Sequence, residues 1–364
     1  LTSADACVAV GYQSGSAITT GANNVLMGYN VGASITTGAN NTFFGHQAGD
    51  GFDTENHNLG IGTNALGGPV AGGEQNVAIG NYSLDALTSG DNNTAVGYSA
   101  GSGLTTGSQN IFIGENAGSN APVTGDDNTV VGKSAGANIS SGHSNVFMGR
   151  DAGGETTDGI YNTFIGYQAG KANIGADQNT FLGRAAGTAN TTGSVNIAIG
   201  DGAYDAADTE SNNLAIGVNA LGGAVAGGEN NVAVGNTTLD ALTSGDDNVA
   251  IGYGAGGAIT TGGFSTMVGR NAGASMVDQR ITAVGYYAGA NSTANQNNFF
   301  GFNCGSGNTS GQDNIAMGYN ALYQPDTEDH NLAIGNAAMG GAIAGGEFNV
   351  AIGNNALDAL TSGD

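Results

Sequence analysis

A glycine preceded by a short apolar run recurs along the whole chain, at Gly11, Gly28, Gly45, Gly62, Gly80 and onward to Gly318, Gly335 and Gly353, in 21 copies. Neighbouring copies are nearly all 17 residues apart, with a few spacings of 18 and two of 16. A fixed period of this length is the mark of a stacked repeat architecture. A 17-residue unit is too short to bury an apolar face alone, so the units must lie one on the next and share a continuous core.

Within a copy the order is Asn, three mostly apolar residues, Gly, two polar residues, a small residue and a turn rich in Thr, Ser, Gly and Asp, as in NNVAVG, NNTAVG and NTFIG. Three apolar or β-branched residues between Asn and Gly make a short strand, because branched side chains suit a pleated surface and Gly permits the corner that follows. The 68 glycines exclude helices of ordinary length. The predicted fold is all-β: a parallel β-solenoid, or β-roll, of about 21 coils with a 17-residue repeat, running through 1–364 as one continuous repeat array and read as a piece of a longer chain. At ~4.8 Å per coil, twenty steps extend roughly 96 Å.

The residue just before each key glycine is always large and apolar (Val10, Met27, Phe44, Ile61, Ile79, Val96), and it is expected to fill the coil interior. The small residue three after the glycine (Ala48, Ala65, Ala100, Ala117) and an apolar residue in the next segment (Ile18, Ile35, Leu87, Leu104, Ile139) supply the facing wall. Two before the glycine stand Phe43, Phe112, Phe147, Phe164, Phe181 and Phe299 in some coils and Ala in many others. Alternation along a strand sends that row outward, which leaves an apolar stripe and predicts self-association along it.

Asn stands four before the glycine in 18 of the 21 copies, the exceptions being Cys7, Ser265 and Ile281, and a stacked Asn row is expected to form an amide ladder. A longer order overlies the short one in DTENHNLGIGTNALGG from Asp53, DTESNNLAIGVNALGG from Asp208 and DTEDHNLAIGNAAMGG from Asp326. There Leu66, Leu221 and Met339 replace the glycine four after the key one, as do Leu84, Leu239, Leu322 and Leu357, predicting a coil cross-section that varies along the array.

Net charge is −24, from 30 acidic residues against 6 Lys and Arg, so phosphate backbones and anionic membrane surfaces repel the chain. No apolar run reaches the roughly 20 residues that span a bilayer. Acidic residues fall mostly in turns such as Asp126–Asp127 and Asp246–Asp247, where Asp caps its own turn; Ca2+ between stacked turns is the alternative use, without the nine-residue calcium-roll signature. His46, His57, His143 and His330 show no metal-binding spacing, and two lysines with scattered carboxylates form no catalytic constellation, so no enzyme and no bound cofactor are expected. Cys7 and Cys304 lie about seventeen coils apart, roughly 80 Å at ~4.8 Å per coil, and cannot bridge within one solenoid.

Lys133, Arg150, Arg184 and Arg270 each follow a key glycine, in a row otherwise rich in Tyr (Tyr12, Tyr29, Tyr98, Tyr167, Tyr253, Tyr286, Tyr319). This row is the lateral or receptor-contact candidate, facing a surface glycan, a receptor or a neighbouring copy.

The NVAIG-type strand with a small residue three after its glycine, as in Asn76 to Ser83 and Asn349 to Ala356, resembles the head repeats of YadA-like trimeric autotransporter adhesins. The longer NTFIGYQAG at Asn162 to Gly170 also looks like repeats of phage tail fibres. The resemblance covers every coil, and it implies a homotrimeric fibre at a cell surface or on a virion tail. The 17-residue period is longer than the usual unit of those heads. The expected function is a structural segment of an extracellular fibre or surface appendage supporting adhesion, free to stack end to end into a filament. A phage tail-fibre shaft for host attachment is the alternative, and an ice-binding solenoid is the alternative of a different class. The last needs a flat Thr array, and the turns at Thr19, Thr36, Thr105, Thr191 and Thr260 are irregularly placed for it.

Overall fold

The computed structural model describes residues 5–68, 73–223, 228–277, 280–324, 327–341 and 346–359. Each of the 21 repeats contributes one three-residue strand between its Asn-row position and its glycine, and no helix occurs among the described residues. The chain divides into two compact units, Leu1–Leu182 and Gly183–Asp364. The first carries β1 (Val8–Val10) to β11 (Thr180–Leu182), the second β12 (Ile197–Ile199) to β21 (Val350–Ile352).

Within each unit the strands pair in parallel and in register, each residue beside its equivalent one repeat on. Phe147, Phe164 and Phe181 are so aligned in the first unit, and Ala215, Ala233 and Ala250 in the second. The architecture is a parallel β-solenoid with a repeat of about 17 residues. The turns are bonded coil to coil as well: Gly32 N–H donates to the Ala48 carbonyl at 3.0 Å and Thr36 N–H to the Asp53 carbonyl at 2.9 Å.

The key glycine is fixed by two independent demands. Gly45 sits at φ +140°, a region closed to L side chains, and a Cβ on it would lie 2.3 Å from the Gly62 carbonyl oxygen of the next coil. Backbone therefore stacks directly on backbone at this corner, and only hydrogen fits between.

The interior is lined by the middle residue of each strand, which corrects the expected orientation. Phe43, Phe112, Phe147, Phe164, Phe181 and Phe299 are fully buried, whereas Met27 and Met148, each just before a key glycine, are 44% exposed. The cause is the Asn row. Asn24, Asn41 and Asn76 point inward, so alternation sends the next residue out, the middle one in and the last one out again. The Ala row and the apolar residues Ile35, Leu87, Leu104 and Ile139 close the interior from the other side as expected.

The larger residues of the long-range blocks are balanced inside the same coil. Where the strand centre is Phe, the residue four after the key glycine is Gly, and the ring occupies the space: a Cβ on Gly49 would fall 2.4 Å from Phe43, and one on Gly170 2.6 Å from Phe164. Where that residue is buried Leu66, Leu84, Leu221, Leu239 or Leu322, the strand centre is Gly60 or Ala. In these coils a large residue at one position accompanies a small one at the other; Ala95 with Gly101, Ala250 with Gly256 and Ala283 with Gly289 are small at both, and neighbouring coils fill the space there, a Cβ on Gly101 falling 2.7 Å from Leu84 and 3.0 Å from Phe112. Asp326, which opens the third block, lies outside the described residues.

Candidate functional site: the outward strand face and its flanking ladder

The Asn row forms the predicted ladder. Asn41 N–H donates to Asn24 Oδ1 and Asn58 N–H to Asn41 Oδ1, both at 2.9 Å, while Asn24 Nδ2 donates to the Gly38 carbonyl at 2.8 Å. Each buried amide thus ties two neighbouring coils and leaves little polar surface unpaired. The exceptions fit the same slot: the Cys7 thiol reaches the Gly21 carbonyl at 3.3 Å, and Ile281 N–H donates to Ser265 Oγ at 3.3 Å.

A second polar ladder escaped the sequence reading. Three residues before several of the strands, an Asp, Asn or Ser side chain accepts the N–H of its equivalent one coil earlier: Asp91 from Glu74 at 2.7 Å, Asp126 from Ser108 at 2.7 Å, Asp246 from Glu229 at 2.8 Å. These carboxylates satisfy donors of the adjacent coil rather than only their own turn. In the DTE blocks, Glu55 and Glu210 are buried and fold back onto local N–H groups; Glu55 Oε2 accepts from Asp53 at 2.8 Å and Thr54 at 3.0 Å. The DTE sequence is therefore a turn whose carboxylate closes on its own backbone. No group of three or more His, Cys, Asp or Glu suited to a metal occurs among the described residues. Cys304 is a free, buried thiol, and that burial pushes its pKa up to about 12.

Outside, each strand presents its first and third residues. The third is apolar in all 21 strands and the first is Val, Leu, Ile, Thr or Asn, so a molecule of net charge −24 carries no charge at any of these 42 outward positions. Met27, Ile61, Ile79, Ile111, Ile113 and Met148 are among the most exposed in the first unit. This is the apolar stripe, one position removed from where alternation alone placed it.

The row after the glycine flanks that face, and its members are largely engaged with one another. Tyr12, Tyr29 and His46 stack with centroids 5.2 Å apart at each step, and Tyr286, Phe302 and Tyr319 stack at 4.9 and 5.3 Å. Lys133 Nζ meets Glu115 Oε1 at 3.0 Å, Arg184 Nε meets Asp201 Oδ1 at 2.8 Å, and both anions belong to the same row one coil away. Arg150 lies 3.3 Å from Asp151 and over Tyr167 at 5.9 Å, and Arg270 over Tyr253 at 5.4 Å. Lys133 and Arg150 fall in the first unit and Arg184 and Arg270 in the second. All four cations are exposed, and each already has a partner in its own chain.

No known protein family matches the chain, and no curated protein is detectably similar to it.

Proposed function

We propose that the chain is a structural segment of an extracellular fibre or surface appendage that supports attachment, and that its copies associate through the outward strand face. The observation that carries this is the absence of charge from every outward strand position in so acidic a chain. Two copies approaching by any other side bring carboxylates together; along this face they bring methyl groups together.

The size of the face agrees. In the first unit eleven strands at ~4.8 Å give a length of roughly 50 Å, and two outward rows give a width of about 12–15 Å. The area, on the order of 600–750 Å2, is close to the ~800 Å2 that each partner of a stable complex buries. Three copies per assembly is the number that the resemblance to YadA-like heads implies and forms part of the proposal. Lys133, Arg150, Arg184 and Arg270 are exposed beside the face, and a glycan, a receptor or a sister chain that meets them there shares or exchanges the partners they have in their own chain.

Sedimentation equilibrium of the whole chain tests the reading. The expected result is a trimer for the wild type and a monomer for Ile61→Lys/Ile79→Lys/Ile113→Lys, with the circular dichroism of both unchanged. A wild-type chain that stays monomeric up to high-micromolar concentration overturns it.

A further inference from the structure

In six coils of the first unit the residue seven after the key glycine is apolar and buried: Ile18, Ile35, Phe52, Leu87, Leu104 and Ile139. It packs toward the glycine of the facing wall, and a Cβ on Gly32 would lie 2.7 Å from Ile35. Two consecutive coils of the same unit place Thr156 and Asn173 there, both fully buried. Thr156 Oγ1, Asn173 Oδ1 and Asn173 Nδ2 have no hydrogen-bond partner in the chain, and among the described residues Asn173 alone has both polar atoms in that condition. A buried polar group left unpaired costs more than an apolar side chain in the same place.

A polar pair in this row can be satisfied by protein alone. In the second unit Ser292 and Asn308 hold the same place in consecutive coils. There Asn308 Nδ2 donates to Ser292 Oγ at 3.2 Å and to the Gly311 carbonyl at 2.9 Å, and Gly311 N–H donates to Asn308 Oδ1 at 3.1 Å. Thr156 Oγ1 and the Asn173 amide make none of these bonds. Asn173 Oδ1 is instead turned toward the coil of Thr156, where a Cβ on Gly159 would lie 3.1 Å from it.

The interior at these two coils takes a larger group than they supply. Phe147 with Ala152 and Gly153, and Phe164 with Ala169 and Gly170, repeat the strand centre, small residue and glycine that Phe43, Ala48 and Gly49 provide in the coil of Phe52. That coil holds a whole phenyl ring, its centroid 5.2 Å from the Phe43 ring, at the place where Thr156 and Asn173 are much smaller. Equivalent residues of stacked coils stand ~4.8 Å apart. Two ~2.8 Å hydrogen bonds meeting at a tetrahedral angle span about 4.6 Å, so polar atoms that keep the coil spacing are bridged by one water. A hydroxyl and an amide offer donors as well as acceptors, which suits water, whereas a metal ion calls for oxygens alone.

We propose that the first unit binds a long-lived internal water between Thr156 and Asn173, the water accepting from the Thr156 hydroxyl and donating to Asn173 Oδ1. The site is complete within one chain and does not rest on association of copies.

Magnetic relaxation dispersion of the water oxygen nucleus, recorded on the whole chain, reads long-lived internal water directly. Thr156→Ile/Asn173→Ile restores the apolar residue that Ile35 and Ile139 supply in other coils. The expected result is a dispersion amplitude lower by at least one water per chain in that variant, with the circular dichroism unchanged. Thr106→Val, at an exposed turn position, leaves the amplitude as in the wild type. If the double variant does not fold, a high-resolution crystal structure of the wild type decides, with a water expected within hydrogen-bond distance of both Thr156 Oγ1 and Asn173 Oδ1. The proposal is overturned by an undiminished amplitude in a folded double variant, or by a crystal structure in which protein atoms alone satisfy Thr156 and Asn173.

Discussion

At the scale of single residues, the key glycines and a few acidic side chains have sharp consequences. Gly45→Ala places a methyl group against the Gly62 carbonyl at a φ that L residues avoid, so it combines a steric clash with backbone strain. The expected cost is about 3 kcal/mol or more, read as a fall in the urea midpoint, and a loss below about 1 kcal/mol contradicts the stacking geometry. Asp85 has its pKa raised, chiefly by desolvation on burial and against a backbone hydrogen bond that lowers it. A carboxyl whose folded pKa lies above its unfolded value stabilises the protein below the unfolded pKa, and that contribution is lost as pH rises through the folded value. Asp85→Asn is therefore expected to raise the melting temperature at pH 7, with the gain vanishing at acidic pH where the wild-type carboxyl is already neutral. Melting curves at the two pH values check the sign.

At the scale of one coil, the exchange of volume between the strand centre and the residue four after the glycine is the organising device. Ala78 faces buried Leu84 in one coil, and Phe112 displaces any side chain at Gly118 in another, where a Cβ would fall 2.3 Å from the ring. Leu84→Gly alone leaves a cavity and a flexible backbone, expected to cost about 3–5 kcal/mol, and Ala78→Phe alone overpacks the coil at about 1–3 kcal/mol. The double variant restores the Phe/Gly pairing used elsewhere, so the two changes should couple favourably by more than about 1 kcal/mol in a double-mutant cycle. Additive effects would show that the two positions do not share one space. The sequence carries the pairing only as a substitution of Leu for Gly; its compensation depends on both side chains pointing into the same interior, which the closed coil decides.

For the molecule as a whole, charge is the dominant variable. The Lys133–Glu115, Arg150–Asp151 and Arg184–Asp201 ion pairs are exposed or half-exposed, so they offset little of the repulsion that accompanies a net charge of −24. Salt shortens the Debye length from about 30 Å at 0.01 M to about 8 Å at 0.15 M. Thermal stability should accordingly rise between these two concentrations and continue to rise beyond, and a melting temperature that falls with added NaCl contradicts the account. The same screening favours contact between charge-free faces, which links solution conditions to the association proposed above.

The period, the strand in every repeat, the Asn ladder and the buried Ala row were legible in the sequence because each depends on residues close in the chain or one repeat apart. Which side of the strand faces in was not. A three-residue strand that is apolar at nearly every position satisfies either orientation locally, so Val77-Ala78-Ile79 or Thr42-Phe43-Phe44 alone is compatible with both. The choice is made only when the coil closes: the Asn side chain must turn inward to reach two neighbouring backbones, and alternation from that point puts Phe43 inside and leaves Ile79 outside. The outward ring stacks are decided in the same way, because residues 17 apart come within about 5 Å only after the coils have stacked.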